Sequence, residues 1–546
     1  MKRLATLGIV LLALAVQPAA LPHGSDPIHS FRPLSTFLVP DRTSAEIVAA
    51  TPDGLTLIYT DALGRQLGIV DISDPAHPLQ TAIIGIDGQP TSVAVTPDGR
   101  YAAVAVKRAA LDDDAVVDPS APAVPGELQL FDLHDLSALP VVFAIAPGPD
   151  GALGYLPDSI ALGTVGGDLY AAVAVENEPI VLRLDGSEYR YVEPEPAGLP
   201  ACPAAAGPGA PAMCDASDAG FVQIVRIHTS GAPSMEFVAN AAFPGSLMAG
   251  LLYPDDPQPE YVAFRASAVA VTLQENNGVG IVDLTFPAAP AVTVFDAGVV
   301  ASRPADLLDD ATISFTQRYP DDVLAEEPTA GTRIPDAIAW TRDGRLITAN
   351  EGEFDYTGGR GWSMFHVSGA LLWDDEGHLE QMAVRRGQYP DGRSDAKGIE
   401  PEGIATGVFG NREFAIVTAE RAAFVAVYDL GGPRPRFLQL LPTGLRPEAA
   451  LAIPSRNLFV TADEGDDGDG SISIFEGVPG RWNGRFDRPV LESRSADEPW
   501  SRRSRVSPPT CIRPCGCIRS PMTPWNPTST RSILPARPPA SRRGCR

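Results

Sequence analysis

The sequence predicts an all-β fold, a seven-bladed β-propeller of four-stranded blades with a disordered, non-native C-terminal tail. Three observations carry that prediction. One supersecondary unit recurs seven times; its shortest pitch is about 45 residues, the length of a four-stranded blade; and no amphipathic helix of convincing length interrupts the series. The units read SAEIVAATPDGLTLIYTD, PTSVAVTPDGRYAAVAV, PDSIALGTVGGDLYAAVAVENEP, PEYVAFRASAVAVTLQENN, PDAIAWTRDGRLITANEGE, PEGIATGVFGNREFAIVTAE and PEAALAIPSRNLFVTADEG. They begin near residues 44, 90, 157, 259, 335, 401 and 447.

Each unit opens on a strand of alternating apolar residues, turns through Thr-Pro-Asp-Gly or a shorter polar turn, and continues as a β-rich run ending in acid or amide residues. Most add a third strand that ends in aspartate, as in LGIVDI, LQLFDL, VGIVDL and VAVYDL, with IVLRLD and SISIFE as looser versions. A single unit cannot bury both faces of its sheet, so radial packing of neighbours has to supply the core. Ahead of the first unit, FRPLSTFLVP is suited to the outer strand of the last blade, closing the ring; RPVLES near residue 490 competes for that place. The propeller is therefore expected over residues 30–495.

The two ends of the chain read differently. Lys2-Arg3, an apolar run from Leu4 to Val16, and Pro18-Ala19-Ala20 follow the order of a secretory signal peptide, 1–20. The run is too short for a stable membrane span, and no other segment reaches that length. The expected location is secreted, periplasmic or extracellular. From 496 to 546 apolar periodicity disappears, and Ser501 to Arg546 holds ten Arg with no Lys, Asp or Glu. Out-of-frame reading of GC-rich DNA gives such composition, so the tail reads as a disordered frameshift product; a genuine basic, Pro-rich disordered tail is the alternative.

The whole chain carries a net charge of -26, and without the tail 32 basic residues face 68 acidic ones. Such a body repels phosphate backbones, which excludes nucleic acid as an expected partner and suits cations. Outside the tail the only cysteines are Cys202 and Cys214, flanking an Ala/Pro/Gly-rich stretch, and in an exported chain they are expected to form a disulfide.

Successive strands of a blade reverse direction. The connection into each innermost strand and the hairpin between the second and third strands therefore share one face of the disc. Asp158, Glu260, Asp336, Glu402 and Glu448 stand at the first position; Glu176, Glu275, Asn276, Glu351, Glu420, Asp463 and Glu464 stand at the second. Oxygen ligands around a depression suit Ca²⁺. The candidate cation ligands are Asp158, Glu260, Glu275, Asn276, Asp336, Glu351, Glu402, Glu420, Glu448 and Glu464. Strand capping is the competing reading, because one architectural device would repeat in the same way. GDDGDGSISIFE, Gly465 to Glu476, approaches an EF-hand loop but lacks the first Asp and flanking helices, and reads as a solvated acidic hairpin. No nucleophile elbow, H-E-x-x-H motif or P-loop is present, and the histidines show no ligand spacing. Arg360, Arg393, Lys397 and Arg421 could neutralise an anion near the mouth, or pair with the surrounding acids.

The words TLQENN (Thr272 to Asn277), PDAIAW with TANEG (Pro335 to Gly352) and RSDAKGIEPEG (Arg393 to Gly403) resemble the extracellular bacterial propellers called choice-of-anchor I proteins. The resemblance is greater to the variant fused to an esterase-like phytase domain, and spans roughly residues 30 to 495. It implies a phytase-like domain after Pro499-Trp500, where this sequence turns to Arg, Pro and Ser. Two functional expectations follow. One is a monomeric, secreted binding or scaffold propeller for a small-molecule or cell-surface ligand, with an acidic, Ca²⁺-binding face. The other is a metal-dependent phosphoesterase or esterase of phytase-like type.

Overall fold

The computed structural model describes residues 28–479 apart from 109–115, 118–123, 150, 152, 178–180, 186–187, 193–218, 324–330, 353–357 and 467. Seven four-stranded antiparallel sheets follow one another along these residues. Their innermost strands are Val48–Ala50, Gln89–Val95, Pro157–Val165, Pro259–Arg265, Pro335–Trp340, Ile404–Phe409 and Pro447–Ile453. Each touches the innermost strand of the next blade, and the seventh touches the first, so the ring is closed. The seven repeats are thus seven blades.

The polar turns behave as their residues require. In Thr51–Gly54 the Thr51 hydroxyl donates to Asp53 at 2.6 Å, Gly54 N donates to Thr51 O at 2.7 Å, and Gly54 takes φ 69°, which only glycine adopts without strain. Thr96–Asp98 and Thr341–Asp343 repeat the hydroxyl–carboxylate bond at 2.6 Å. The second strands, such as Tyr101–Lys107 and Asp168–Val175, are buried on both faces between neighbouring blades, which explains their unbroken Ala/Val runs. Outer strands alternate instead, as Leu79–Gly85 does between exposed and half-buried positions.

The core therefore lies between blades. Tyr59 and Leu57 of the first blade pack with Val460 and Ile474 of the seventh. Gly68 lets Tyr59 lie flat on its neighbouring strand, because a Cβ there would fall 2.0 Å from the ring. Gly68→Ala is accordingly expected to cost about 1–3 kcal/mol by overpacking, read as a lower urea midpoint; an unchanged midpoint would show that the ring moves freely.

Closure is made by the N-terminal strand. Ile28–Leu38 pairs antiparallel with Ser471–Pro479 and completes the seventh blade, as FRPLSTFLVP predicted. RPVLES lies outside the described residues, as do the 1–20 leader, the 496–546 tail, Cys202 and Cys214. Ile28 is paired with Pro479, so the two ends of the described chain meet at one point. No helix among the described residues is long and apolar enough to cross a membrane.

The two faces of the disc differ. On the face where Ile28 and Pro479 meet, every connection is short, none exceeding that over 133–140. The long connections, 108–126, 145–156, 176–220, 243–258, 297–334 and 375–403, all emerge on the opposite face. Two of them share a three-stranded sheet of Val116–Val117, Val181–Asp185 and Glu188–Val192. The connection 297–334 holds the hairpin Arg303–Ala305/Gln317–Tyr319, and 375–403 holds the helix His378–Arg386. Sequence periodicity did not register this helix, since nine residues span too few turns for a 3.6-residue pattern.

Candidate functional site

Each blade brings to the channel a residue at or near the start of its innermost strand. In blade order these are Glu46, Thr91, Asp158, Glu260, Asp336, Glu402 and Glu448, six carboxylates and one threonine, and all seven line one cavity of about 430 Å³ at the channel mouth. Proline precedes all of them except Glu46, which follows Ala45. In the fifth to seventh blades the residue before that proline, Ile334, Glu400 or Arg446, is held at φ 47°, 48° or 51°. Positive φ is costly for a side-chain-bearing residue and most unusual for a β-branched one. The backbone is thus strained where it presents Asp336, Glu402 and Glu448 to the channel.

Glu464 and Glu176 add two hairpin carboxylates to the same wall, and Lys107 and Arg446 bring the cations. Glu402, Glu420 and Glu448 each place one oxygen within 4.8 Å of the other two, and so do Glu351, Glu400 and Glu420. At that distance two ionised carboxylates repel by about 3 kcal/mol at an effective dielectric of ~20, about two pKa units. A group of this kind has to hold protons, be neutralised by basic side chains, or hold a cation.

The two triads solve this differently. Around the second, Arg393 Nη2 reaches Glu400 Oε1 at 2.6 Å, Arg421 Nε reaches Glu400 Oε2 at 3.0 Å, and Lys397 Nζ reaches Glu351 Oε1 at 2.7 Å. Gln274 Nε2 also donates to Glu351 at 2.9 Å. Burial opposes ionisation of Glu400, yet Arg421, Arg393 and Lys397 hold its carboxyl below the usual range. In the first triad burial and then the charges of Glu448, Glu420 and Glu351 push Glu402 well up, and burial and Glu420 do the same to Glu448. Glu420 is shared, bound by Arg446 Nε at 2.6 Å, and burial still raises it to about 7. Among the described residues, nothing donates a hydrogen bond to the buried oxygens Glu260 Oε2 and Glu402 Oε2. Burial and neighbouring acids thus hold Glu260, Glu402 and Glu448 toward their neutral forms.

Of the other sequence-nominated residues, Glu275 lies near enough for its charge to raise Glu260. Asn276 is occupied in its loop, donating to the carbonyls of Leu252, Tyr253 and Asp256 while its Oδ1 accepts from Gln258 N. Asp463 is fully buried and caps its blade, accepting from Thr461, Ser471, Ser473 and Gly444 N. Hydrogen bonding within the blade thus accounts for Asp463, and bonding within its loop for Asn276. Arg393, Lys397 and Arg421 are ion-paired at the mouth, whereas Arg360 is buried against Glu380. In the acidic hairpin after Asp463, Gly468 and Gly470 lie against the backbone of Arg42 and Thr43, which seats the closing strand's exit.

Glu46, Thr91 and Lys107 were missed by sequence reading. Glu46 could have been found by aligning AEIVA with PDSIA, but Ala45 replaces the proline that marks the other blades. Lys107 stands in the blade that has Thr91 in place of an acid, and its charge lowers Asp158 against the larger effect of burial.

Burial raises Glu46 to about 8 and Asp158 to about 7. Both are above their unfolded values near 4, so the native protein binds more protons than the unfolded chain between about pH 4 and pH 8. Their stabilising contribution is complete at the acid end and is lost as pH rises through 7 and 8. Metal-free protein should melt higher at pH 5.5 than at pH 8 in calorimetry; equal melting temperatures would contradict this.

Comparison with known proteins bears on the same region. Residues 354–433 match the choice-of-anchor I domain. That stretch of the choice-of-anchor I match carries Lys397, Glu400, Glu402, Glu420 and Arg421, and residues 62–83 match the LVIVD repeat. No curated protein matches the sequence. Among solved structures the chain is similar to Kuenenia stuttgartiensis hydrazine synthase, at 12% identity over 81% of this chain and 97% of that one, TM-score 0.44. It is similar to the RRP9 WD40 repeats at 9% identity over 83% and 100%, TM-score 0.47. The Myceliophteria thermophila Cps50 (Swd1) β-propeller domain gives 10% over 82% and 100%, TM-score 0.45. These likenesses concern the fold alone.

Proposed function

We propose that this chain is a secreted propeller, periplasmic or extracellular, that receives a small-molecule or cell-surface ligand on its acidic face and holds Ca²⁺ at the channel mouth. The observation that carries the reading is the ring, in which six blades place a carboxylate at one position around one cavity. The long connections emerge on the face that carries that cavity, and connecting loops on a rigid frame are where binding surfaces are built. Ile28 and Pro479, the two ends of the described chain, meet on the opposite face. Export rests on the leader pattern of residues 1–20.

Glu402, Glu420 and Glu448 would hold the ion, with Asp336 and Glu260 next in the arc. Ca²⁺ takes six to eight hard oxygen ligands and tolerates irregular geometry, which suits carboxylates contributed by separate blades. Its charge would replace the protons that these groups otherwise keep. Calorimetric titration of chelator-treated protein with CaCl₂ is expected to show heat, accompanied by a rise in melting temperature. Neither effect at millimolar Ca²⁺ would remove the ion from the reading and leave the binding face.

A second reading, a metal-dependent phosphoesterase of phytase-like type, is favoured by one feature. Arg393, Lys397, Arg421 and Arg446 alternate with the acids beside the proposed ion, and a cation flanked by guanidinium groups is suited to a phosphate ester. Hydrolysis of p-nitrophenyl phosphate that depends on Ca²⁺ and is lost in Glu402→Gln would make this the better reading; no turnover leaves the scaffold.

A further inference from the structure

We infer that Glu380 is a positioning residue for the binding face, and that the buried triad Arg303, Glu380 and Arg360 holds the segment 388–400 against the channel mouth. The three side chains come from different parts of the fold. Arg303 belongs to the hairpin in 297–334, Arg360 directly precedes the third strand of the fifth blade, and Glu380 lies in the helix of 375–403. All are buried, Glu380 completely. Arg360 Nη1 stands 3.5 Å from Glu380 Oε1 and Arg303 Nη2 3.8 Å from Oε2, while both guanidinium groups lie over the Tyr319 ring at 5.4 and 4.8 Å.

The helix that carries Glu380 is itself fixed. Asp375 Oδ2 accepts from Leu379 N at 2.8 Å, Tyr428 of the sixth blade donates to Asp375 Oδ1 at 3.0 Å, and Leu379 and Ala383 enter the core between the fifth and sixth blades. From this base Arg360 Nη2 donates to Ser394 O at 2.8 Å and to Ala396 O, and its Nη1 donates to Asp306 O at 3.2 Å. Gly398 then passes directly over the triad. A Cβ there would lie 2.7 Å from Glu380 Oε1 and 3.3 Å from Arg360 Nη1, and its φ of 66° further favours glycine. Lys397 and Glu400, the neighbours of this contact, make the ion pairs at the mouth.

A buried ion pair adds little net stability, but removing one member leaves an uncompensated charge, so such groups act through where they hold the chain. Three charged side chains and one glycine here fix the height of the segment that brings Arg393, Lys397 and Glu400 to the rim. The inference does not depend on what the mouth binds. Burial favours the neutral form of Glu380, against the pull of Arg360 and Arg303.

Hydrogen exchange on the full chain tests it with two variants, Glu380→Gln and Gly398→Ala. The second pushes the segment off the triad without altering a charge, and serves if the first does not fold. Amides of 393–400 are expected to exchange about tenfold faster in either variant, while those of the blades' second strands change by less than about twofold. Lys397→Gln, which breaks the pair with Glu351, should lower the melting temperature of the parent and have no further effect in either variant background. Unchanged exchange over 393–400, or an additive effect of Lys397→Gln, would overturn the positioning role.

Discussion

Phe31→Ala is expected to destabilise the propeller by about 3–5 kcal/mol. Phe31 lies on the closing strand, paired with Gly477, and its ring is buried edge-on against Phe409, Phe414 and Phe459 at centroid distances of 4.9, 5.3 and 5.0 Å. One side chain thus ties the first strand of the ring to the core between the sixth and seventh blades. Its truncation removes a large apolar area and leaves a cavity at the joint where the sequence ends of the ring meet. Urea unfolding measures the loss. A change below about 1 kcal/mol would mean that ring closure does not depend on this contact.

The double substitution Glu402→Gln with Glu448→Gln is expected to raise the melting temperature of metal-free protein at pH 8 by several degrees and to abolish the response to Ca²⁺. Burial already favours the neutral forms of both groups, helped by the charges of Glu448 and Glu420 at Glu402 and of Glu420 at Glu448, and glutamine keeps their shape without the charge. At about 100 times its Kd, Ca²⁺ should stabilise the parent by about 2.7 kcal/mol. The double variant should gain nothing. A variant that is less stable than the parent without metal would show that the ionised pair supports the fold.

The architecture was legible because it repeats. PDSIAL, PEYVAF and PDAIAW announce innermost strands that begin at Pro157, Pro259 and Pro335, and T-x-D-G marks the turns that follow in three blades. The same alignment placed Asp158, Glu260, Asp336, Glu402 and Glu448 on one face, since strand reversal alone decides the side of the disc. Repetition could not separate acids that cap from acids that line the channel. Asp463 and Glu464 are adjacent in sequence, yet the first is spent on hydroxyl and backbone donors and the second faces the cavity. Nor does the sequence show the strain at Ile334, Glu400 and Arg446, or the meeting of Arg303, Arg360 and Glu380, which depends on how two insertions fold against each other. Such contacts have no period to read.

The central claim is that the acidic ring is a cation seat and not only a row of strand caps. Anomalous diffraction from crystals soaked in MnCl₂, used as a scattering substitute for Ca²⁺, tests it most directly. A peak is expected among Glu402, Glu420 and Glu448 and is expected to be absent in crystals of the double glutamine variant. Manganese bound only on the outer surface, with no peak in the channel mouth, would contradict it.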